Sequence, residues 1–461
     1  MGEADRIAGK KRLIQNGRTA ANRRARRLCL ASLEEGLAAV DPTKSVSAWL
    51  RSNRGRLLGS PSVPMRRRIV LLAVGKASLP MLTSALTALG DHVVSGILVA
   101  PEDEKVTGLD RRITTFRTGH PIPNWEGMRA SRHVLASIGK LRAGDLLLCL
   151  ISGGASAMLP APAEGVTLDD KRRISQRLIR SRASIHEVNT VRRHLSELKG
   201  GRLVQRCRAG QIISLIISDV TGNSLPDIAS GLTAPDPTTF QDAINVLKEF
   251  ELWNSAPGSI KNRLEAGSVG HIPETPKPGN DIFRKVHNVI VTDNRTACEA
   301  LRKALNKRHT PTTILSSSVN MEARSLGRLL ASIASDSETF GQPLQKPSAL
   351  VVGGETTVDV KGNGKGGRNQ EMMLAALPGI AGLAGFAIAA IGTDGIDGNS
   401  PAAGALIDGE SMAHAARLGM RFRKFMARND SYSFFRKLGD SIVTGRTGTN
   451  VSDVYLLVRA K

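Results

Sequence analysis

RRIVLLAVGKA (67–77) decides the fold class, because this apolar run ends in Gly75–Lys76 and is followed by the helix-like run LPMLTSALTAL. A strand that is apolar on both faces is typical of a parallel sheet covered by helices. The pattern recurs in SGILVAP (95–101), DLLLCLISGG (145–154), QIISLIISDV (211–220), HNVIVTDN (287–294) and PTTILSSS (311–318). Helix-like segments such as WEGMRASRHVLASIGKL (125–141) alternate with these runs. The sequence therefore predicts an α/β protein with a doubly wound parallel sheet.

Length and linker composition predict more than one domain. The chain has 461 residues, which is more than one ordinary hydrophobic core accommodates. The segment DSETFGQPLQKPS (336–348) is polar and rich in turn-forming residues, and a second α/β pattern begins with SALVVGGETTV after it. We predict a basic, disordered extension over 1–24, an N-terminal domain over 25–335 and a smaller C-terminal α/β domain over 347–461.

The apolar segments and the cysteines indicate the cellular compartment. No apolar run approaches the roughly 20 residues of a membrane helix, and the N-terminus lacks the apolar segment of a secretory signal. The four cysteines (Cys29, Cys149, Cys207 and Cys298) form no CxxC pair, which argues against both a disulfide scaffold and a zinc site. These features predict a cytoplasmic protein that does not bind membranes.

The formal net charge of +23 raises the question of nucleic-acid binding. Residues 1–28 contain nine Lys and Arg against two acidic residues. However, the sequence has no helix-turn-helix, zinc-finger or RNA-binding pattern, and only 3% of its residues are aromatic. A basic proteome background or attraction of anionic metabolites is the favoured interpretation, and a basic nucleic-acid-binding protein is kept as an alternative.

Candidate site residues follow the ends of the predicted strands, where open parallel sheets bind their ligands. Lys76 lies at a helix start, where a cation is unfavourable unless an anion binds beside it. Asp219 follows another strand and suits Mg²⁺ coordination or acceptance of a hydroxyl proton. The turn ISGGAS offers backbone N–H groups and hydroxyls to an anion. Its candidate binding residues are Ser152, Gly153, Gly154 and Ser156.

Two further segments add candidates. HEVNTVRRHLSELKGGRL (186–203) reads as an amphipathic helix whose polar positions include Asn189 and Arg192, which we predict to bind substrate or phosphate. The segment IGTDGIDGNSPAAG (391–404) contains Asp394, a candidate metal ligand after a strand. Its spacing lacks the terminal acidic residue of an EF-hand.

The glycine-rich loop GGETTVDVKGNGKGGRNQE (353–371) matches neither the Walker pattern nor the dinucleotide fingerprint. Arg368 begins a predicted helix, and an arginine can bind a phosphate or carboxylate through two parallel hydrogen bonds. Glu355 is predicted to fix that arginine. We expect the loop to approach an anion, with Gly366, Gly367 and Asn369 beside Arg368 at the binding site.

Taken together, these segments resemble one family, the class II glycerate kinases (glycerate 2-kinases, MOFRL proteins). The similarity runs from about residue 69 to residue 453. It is carried by VGKA, TGHPIPN, LISGGASAMLPAPAEGVTL, SIHEVNTVRRHLSELKGGRL, LIISDVTGN, IASGLTAPDPTT, ETPKPG, GGETTVDVKGNGKGGRNQE, GTDGIDGNSPAAGA, NDSYSFF and TGRTGTNVSD. Two positions depart from the family pattern: Ala155 stands where a third glycine is usual, and TGNSLP (221–226) replaces a more acidic segment.

The resemblance implies a Rossmann-like N-terminal domain, a C-terminal MOFRL domain and an active site between them. It implies transfer of the γ-phosphoryl group of ATP, with Mg²⁺, to the 2-hydroxyl of D-glycerate, and it makes Lys76 and Arg368 the central catalytic residues. Some members of this family are named hydroxypyruvate reductase, which is the alternative function. No GxGxxG opens a βαβ unit here, which argues against a nicotinamide site. A homodimer is the assembly expected from base rates.

Overall fold

The computed structural model describes residues 6–58 and 68–461. These residues form two compact units. Pro42–Val291 is named the central unit, and Met1–Asp41 together with Thr292–Lys461 is named the split unit. The predicted boundary between 335 and 347 therefore differs from the structure, which divides the chain after residues 41 and 291.

The N-terminal residues are helical and belong to the split unit. They form α1 (Lys10–Gln15) and α2 (Ala20–Ala39). The prediction of a disordered extension over 1–24 is wrong for residues 6–24, and residues 1–5 lie outside the described part of the chain. The basic composition misled because Ile7 and Leu13 are buried and Asn16 donates to Asp440 over 2.9 Å. In α2, Arg26 is buried and paired with Asp408 and Asp440. The helix also buries an apolar face made of Ala25, Cys29, Leu30, Leu33 and Leu37.

The central unit contains a six-stranded sheet among the described residues. Its strands are β1 (Ile69–Val74), β2 (Val93–Pro101), β3 (Ile113–Thr118), β4 (Leu146–Ile151), β5 (Gln211–Ile217) and β6 (Val286–Thr292). The spatial order is β3-β2-β1-β4-β5-β6, and the pairs β2–β3, β1–β2, β1–β4 and β4–β5 are parallel. This is the strand order of Rossmann folds, and it reverses direction between β1 and β4. The predicted doubly wound sheet is confirmed.

Helices cover this sheet and extend beyond it. They are α3 (Pro42–Ser52), α4 (Arg54–Leu58), α5 (Ser78–Leu89), α6 (Trp125–Ile138), α7 (Ala155–Met158), α8 (Leu168–Arg180), α9 (Ile185–His194), α10 (Arg202–Arg206), α11 (Phe240–Glu249) and α12 (Gly258–Ser268). Short 3₁₀ turns occupy Gly90–His92, Thr221–Asn223, Ile228–Ser230 and Asp281–Lys285. The apolar residues of α8, α9, α11 and α12 form a separate core that includes Ile174, Val191, Leu195 and Phe240. This packing fixes α9, which carries several candidate site residues.

The split unit contains a second six-stranded sheet among the described residues. Its strands are β7 (Thr312–Val319), β8 (Ser348–Gly354), β9 (Phe386–Gly392), β10 (Gly404–Asp408), β11 (Ser441–Ile442) and β12 (Asp453–Arg459). The spatial order is β11-β10-β9-β12-β8-β7, with β7 parallel to β8 and every other neighbouring pair antiparallel. The strand predicted at 311–318 therefore belongs to this sheet and not to the N-terminal one, because it pairs with β8.

The remaining helices are α13 (Asn294–Asn306), α14 (Ala323–Phe340), α15 (Arg368–Ala376), α16 (Ser411–Arg417), α17 (Phe422–Ala427) and α18 (Ser431–Leu438). Their core includes Leu326, Leu330, Met373 and Phe434. Among the described residues, none of the helices combines the length and hydropathy that crossing a membrane requires. All four cysteines are buried free thiols.

Candidate functional site

The loops after β1 and β4 meet where the strand order of the central unit reverses. The Lys76 N–H donates to the Gly153 carbonyl over 2.9 Å. A Cβ on Gly75 would lie 2.4 Å from both the carbonyl and the side-chain oxygen of Ser152, and the φ angle of Gly75 is 118°. Glycine is required at position 75 because a side chain would push the two loops apart. Ligands of open α/β sheets bind at this edge, so the fold brings Lys76 and the 152–156 turn together there.

Ser152 has a different role from the predicted one. Its side chain is buried, its Oγ accepts the Ala77 N–H over 3.0 Å, and its hydroxyl donates to the Val74 carbonyl over 3.5 Å. The hydroxyl therefore links the two strand-end loops and does not face a ligand. Gly154 has a φ angle of 89°, and a Cβ there would lie 2.8 Å from Cδ2 of His120. This glycine lets the chain turn closely past the histidine ring.

Ser156 begins a chain of polar contacts that leads to α9. Its Oγ lies 2.8 Å from the Oγ of Ser230, and the Ser230 hydroxyl donates to Oδ1 of Asn189 over 2.8 Å. The amide nitrogen of Asn189 donates to the Asp227 carbonyl over 3.1 Å. Ser230 and Asn189 are fully buried, whereas Ser156 is half-buried at the strand-end edge. Two predicted binding residues, Ser156 and Asn189, are thus connected through Ser230.

Arg192 and Arg193 are neighbours on α9 with opposite surroundings. Arg193 is buried and forms ion pairs with Asp227 over 3.2 Å and Asp236 over 2.9 Å. The Arg192 side chain is half-buried and makes no hydrogen bond or ion pair within the part of the chain that the structure describes. Burial lowers the pKa of Arg192 below its ordinary value. An unneutralised cation in such a place favours binding of an anion.

Two buried lysines bind the segment that follows the 152–156 turn and α7. The Nζ of Lys199 donates to the Leu159 carbonyl over 2.5 Å, and that of Lys171 donates to the Pro160 carbonyl over 2.7 Å. Burial, together with the charge of Arg192, lowers the pKa of Lys199 to about 7. Burial likewise lowers the pKa of Lys171 well below its ordinary value. Both ammonium groups donate to backbone carbonyls of the segment that follows α7. In their charged forms they add positive electrostatic potential near the 152–156 turn.

Asp219 is the one predicted metal ligand of the central unit. It is half-buried and follows β5 by two residues, at the carboxyl end of the sheet. Within residues 6–58 and 68–461, no group of three or more His, Cys, Asp or Glu side chains is placed to hold a metal ion. A single carboxylate still fits Mg²⁺, because this ion is commonly held by one or two carboxylates together with substrate phosphates and water.

Asp227, in the segment that departs from the family pattern, is already engaged by protein groups. Ser224 donates to its carboxylate over 2.7 Å, and Arg193 pairs with the other oxygen. Burial alone would raise the pKa of Asp227, but Ser224 and Arg193 outweigh it and hold the pKa below its ordinary value. Asp227 is therefore an ionised carboxylate that fixes α9 and the 224–230 segment.

In the split unit, Arg368 is the first residue of α15 and lies between two carboxylates. Its Nε and Nη2 donate to the two oxygens of the buried Asp453, with Nη2 at 3.1 Å from Oδ1, and its Nη1 donates to Glu355 over 2.6 Å. Burial alone would lower the pKa of Arg368, but Asp453 outweighs it and raises the pKa. Two of the five guanidinium N–H groups remain for a ligand.

The carboxylates around Arg368 come from three strand ends. In the antiparallel register, Asp453 of β12 lies opposite Gly354 of β8 and Gly392 of β9. A Cβ on Gly392 would lie 3.3 Å from Asp394 Oδ1 and 3.4 Å from Asp453 Oδ1. Asp394 therefore lies beside the same edge, where its carboxylate also accepts the Ile396 N–H over 3.1 Å. Its predicted role as a metal ligand stays a prediction.

Asn369, the second residue of α15, is buried and donates to Asp397 at the N-terminus of that helix. Its backbone N–H donates to Asp397 over 3.0 Å and its amide group does so over 3.3 Å. Gln370 donates to the other Asp397 oxygen through its N–H and its side chain, each over 2.9 Å. Asp397 thus stabilises the N-terminus of α15 and fixes the position of Arg368, the first residue of that helix. These contacts give Asn369 a structural role, and its predicted contact with a substrate or phosphate stays a prediction.

Most N–H groups of the glycine-rich loop between Lys361 and Gly366 are bonded to other groups of the same unit. Lys361 and Gly362 donate to Asn429 over 2.8 and 3.0 Å, Lys365 donates to Asp430 over 3.0 Å, and Gly366 donates to Asn399 over 2.8 Å. The glycines allow close packing against backbone: a Cβ would lie 2.3 Å from the Arg428 carbonyl at position 362 and 2.4 Å from the Gly398 nitrogen at position 367. The glycines therefore have a packing role, and the predicted contact of Gly366 and Gly367 with a substrate or phosphate stays a prediction.

Comparison with known proteins gives the family. The profile of the domain of unknown function DUF4147 matches residues 28–265, and that of the MOFRL family matches residues 348–453. A D-glycerate 2-kinase from Thermotoga maritima is 34% identical over 94% of this chain and 97% of its own length. The chain belongs to the glycerate kinase family. The crystal structure of glycerate kinase from the same organism superposes with a TM-score of 0.83 over 94% of this chain and 99% of that one, at 33% sequence identity.

Another relative of this glycerate kinase family member has a different name. A protein from Agrobacterium vitis named as a hydroxypyruvate reductase is 37% identical over 85% of this chain and 87% of its own length. The sheet of the central unit has the strand order of nicotinamide-binding enzymes, but the turn after β1 reads VGKAS and lacks their glycine pattern.

Sequence reasoning on this glycerate kinase family member missed several residues that organise the candidate site: Ser230, Arg193, Asp397 and Asp453. Asp453 and Ser230 lie in quoted segments, TGRTGTNVSD and IASGLTAPDPTT, but nothing in their spacing indicates their partners. Their partners lie far along the chain, as with Arg368 and Asp453, which are 85 residues apart. Only the fold brings such pairs together.

Proposed function

We propose that this protein is an ATP- and Mg²⁺-dependent glycerate 2-kinase that transfers the γ-phosphoryl group of ATP to the 2-hydroxyl of D-glycerate. The relative from Thermotoga maritima named D-glycerate 2-kinase matches the chain over nearly its full length, which supports this activity. The observation that carries the proposal is the half-buried, unpartnered Arg192 on the helix that is linked to the 152–156 turn. That arrangement suits a small anionic substrate.

Phosphoryl transfer depends on positioning the reactants and on stabilising negative charge as it develops. Lys76 and Arg368 are the proposed cations for the transferring phosphoryl group or the glycerate carboxylate. Arg192 is proposed to hold an anionic group of a substrate, and Gly153 and Gly154 give the adjacent turn its shape. Asp219 is proposed to hold the metal or to accept the hydroxyl proton.

A metal ion has a supporting role in this proposal. When bound, Mg²⁺ neutralises phosphate charge, and Asp219 and Asp394 are its candidate protein ligands. Neither carboxylate is accompanied by enough neighbouring acidic or imidazole groups for a closed metal site among residues 6–58 and 68–461. The proposed ligands therefore suit a metal that arrives with the nucleotide phosphates. A homodimer also stays a prediction.

The first test is ³¹P NMR of the products formed from purified protein, Mg·ATP and D-glycerate. A 2-phosphoglycerate signal is expected, and it would establish both the reaction and the position phosphorylated. L-glycerate and a reaction without protein are the matched controls. Slow ATP hydrolysis without a phosphoglycerate signal would contradict the proposal.

Hydroxypyruvate reductase is the second candidate, favoured by the name of the Agrobacterium vitis relative. It predicts consumption of NADH when hydroxypyruvate is added, and it predicts no phosphorylated product from ATP and glycerate. The two assays on one protein preparation separate the candidates, because neither activity can mimic the product of the other.

A further inference from the structure

The contacts of Asn189 fix the orientation of its amide group. Its Nδ2 lies 3.1 Å from the Asp227 carbonyl oxygen and 3.5 Å from Asp227 Oδ1. Both of these atoms can only accept, since the Asp227 carboxylate is held in its ionised form by Arg193 and Ser224. The opposite orientation would place the amide oxygen against two acceptors. Oδ1 of Asn189 therefore faces Ser230.

This orientation determines the direction of the next two hydrogen bonds. An amide oxygen only accepts, so the Ser230 hydroxyl donates its single proton to Asn189 over 2.8 Å. The contact of 2.8 Å between Ser230 and Ser156 then requires Ser156 to be the donor. The hydroxyl proton of Ser156 is thereby committed to the protein, and only its oxygen lone pairs remain for a ligand.

We propose that Ser156 accepts a hydrogen bond from a hydroxyl group of the acceptor substrate, and that Asp227, Asn189 and Ser230 form a relay that sets this polarity. A phosphate or carboxylate group cannot use such a site, because its oxygens also need a donor. Ser156 is half-buried and lies in the turn after β4, at the strand-end edge where open α/β sheets bind ligands. The expected ligand class is a hydroxy acid, which deepens the proposed function and rests on it.

The backbone around Ser230 supports a specialised role for this segment. Ala229 and Ser230 have φ angles of 53° and 55°, which L-residues with a side chain rarely adopt. The Gly200 N–H donates to the Ser230 carbonyl over 3.0 Å and the Gly201 N–H donates to the Gly231 carbonyl over 2.8 Å. Two strained residues are thus held in place by α9 and its following turn, and such strain is concentrated at functional sites.

The test compares Ser156→Ala, Ser230→Ala and the double variant with the wild-type protein. Titration calorimetry measures the dissociation constants of D-glycerate and of ADP, and steady-state kinetics measures KM for D-glycerate and for ATP. Ser156→Ala is expected to weaken D-glycerate binding about tenfold, as for one lost hydrogen bond, and to leave ADP binding within about twofold. Ser230→Ala is expected to give a smaller loss in the same direction.

The double variant tests the relay itself. If Ser230 acts through Ser156, the Ser156→Ala/Ser230→Ala protein binds D-glycerate no more weakly than Ser156→Ala alone. Ala229→Gly is the matched control, because it removes one strained residue and leaves every hydroxyl in place. Its affinity for D-glycerate is expected to equal that of the wild-type protein. A purely structural role of Ser230 would lower Tm without changing the ratio of the two affinities.

Three outcomes would overturn the proposal. Ser156→Ala could weaken ADP binding and spare D-glycerate, which would make Ser156 a phosphate donor. The two single variants could be additive, which would remove the relay. A wild-type protein that fails to bind D-glycerate would overturn both this proposal and the kinase, whereas binding without phosphorylation would overturn the kinase alone.

Discussion

The two units differ in whether the candidate arginine is paired with carboxylates of the protein. In the central unit, Arg192 has no partner among the described residues and Ser156 is half-buried. In the split unit, Arg368 is held by Asp453 and Glu355. The charge of Arg192 is therefore not neutralised by any described side chain. The split unit holds its arginine in a fixed orientation with only two N–H groups left over.

The glycines of the two units also differ in purpose. Gly75 allows the chain to pass within contact distance of Ser152 beside a candidate ligand site. Gly362 and Gly367 allow equally close contacts, but their neighbours are backbone atoms of residues 428 and 398 in the same unit. A glycine-rich loop is therefore not in itself evidence for a bound anion. The partners of its N–H groups decide whether a ligand can use them.

Replacement of Arg368 is expected to have the largest effect on turnover. Arg368→Ala should lower kcat by about 10²–10³, as for other lost donors to a transition state, and Lys76→Met should give a similar loss. The ³¹P assay under saturating substrate measures both. Asp453→Asn is the control for orientation, because it keeps the guanidinium but removes the ionised partner. Near-normal kcat in both Arg368→Ala and Lys76→Met would refute the catalytic assignments.

Adjacent arginines of α9 give a matched pair for separating binding from stability. Arg193→Gln leaves Asp236 and Asp227 without their cation in a buried site, so the free energy of unfolding should fall by about 3–5 kcal/mol. Arg192→Gln should leave stability unchanged or slightly higher and raise KM for an anionic substrate about tenfold.

Urea unfolding and steady-state kinetics measure the two effects on the same preparations. The comparison fails if Arg192→Gln destabilises the protein as much as Arg193→Gln does. An unchanged KM for every substrate in Arg192→Gln would also contradict the prediction, because Arg192 would then bind no anionic substrate.

Replacement of Glu355 tests whether Arg368 needs its second carboxylate partner. The side chain of Glu355 is 47% exposed, and Asp453 already holds the guanidinium at two points. Glu355→Gln should change stability by less than about 1 kcal/mol and KM by a few-fold at most. A loss in kcat comparable to that of Arg368→Ala would show instead that Glu355 is needed to position the arginine.

The smallest expected effect concerns acid stability of the central unit. Burial would raise the pKa of Glu274, but His194, the Phe240 N–H and Lys277 outweigh it and lower the pKa to about 2. A carboxylate with a lowered pKa in the folded state stabilises the protein above its unfolded value of about 4.5, and this contribution is lost as the pH falls towards 2. Glu274→Gln should therefore lower Tm at pH 7 and reduce the drop in Tm between pH 7 and pH 3. An unchanged drop would contradict the pKa assignment.

The sequence alone was sufficient to predict the buried strands, their alternation with helices along the chain, and the turns that follow the strands. These features come from local composition: continuous apolar runs predict buried strands, and small residues after them predict tight turns. The half-exposed edge strand β3 was missed because ITTFRT lacks such a run. The helices before residue 25 were missed because their partners lie far along the chain: Asn16 donates to Asp440, which is 424 residues away.

The tertiary structure decided which candidate residues are buried and which remain accessible. Lys76, Ser156 and Arg192 are half-buried, whereas Ser152, Asn189 and Asn369 are buried in contacts that hold the site together. Residue type could not separate these groups, because a hydroxyl or amide has the same chemistry in either setting. The direction of a hydrogen bond depends on every group along its chain of contacts. Those groups, from Asp227 to Ser156, are assembled only when distant segments fold against one another.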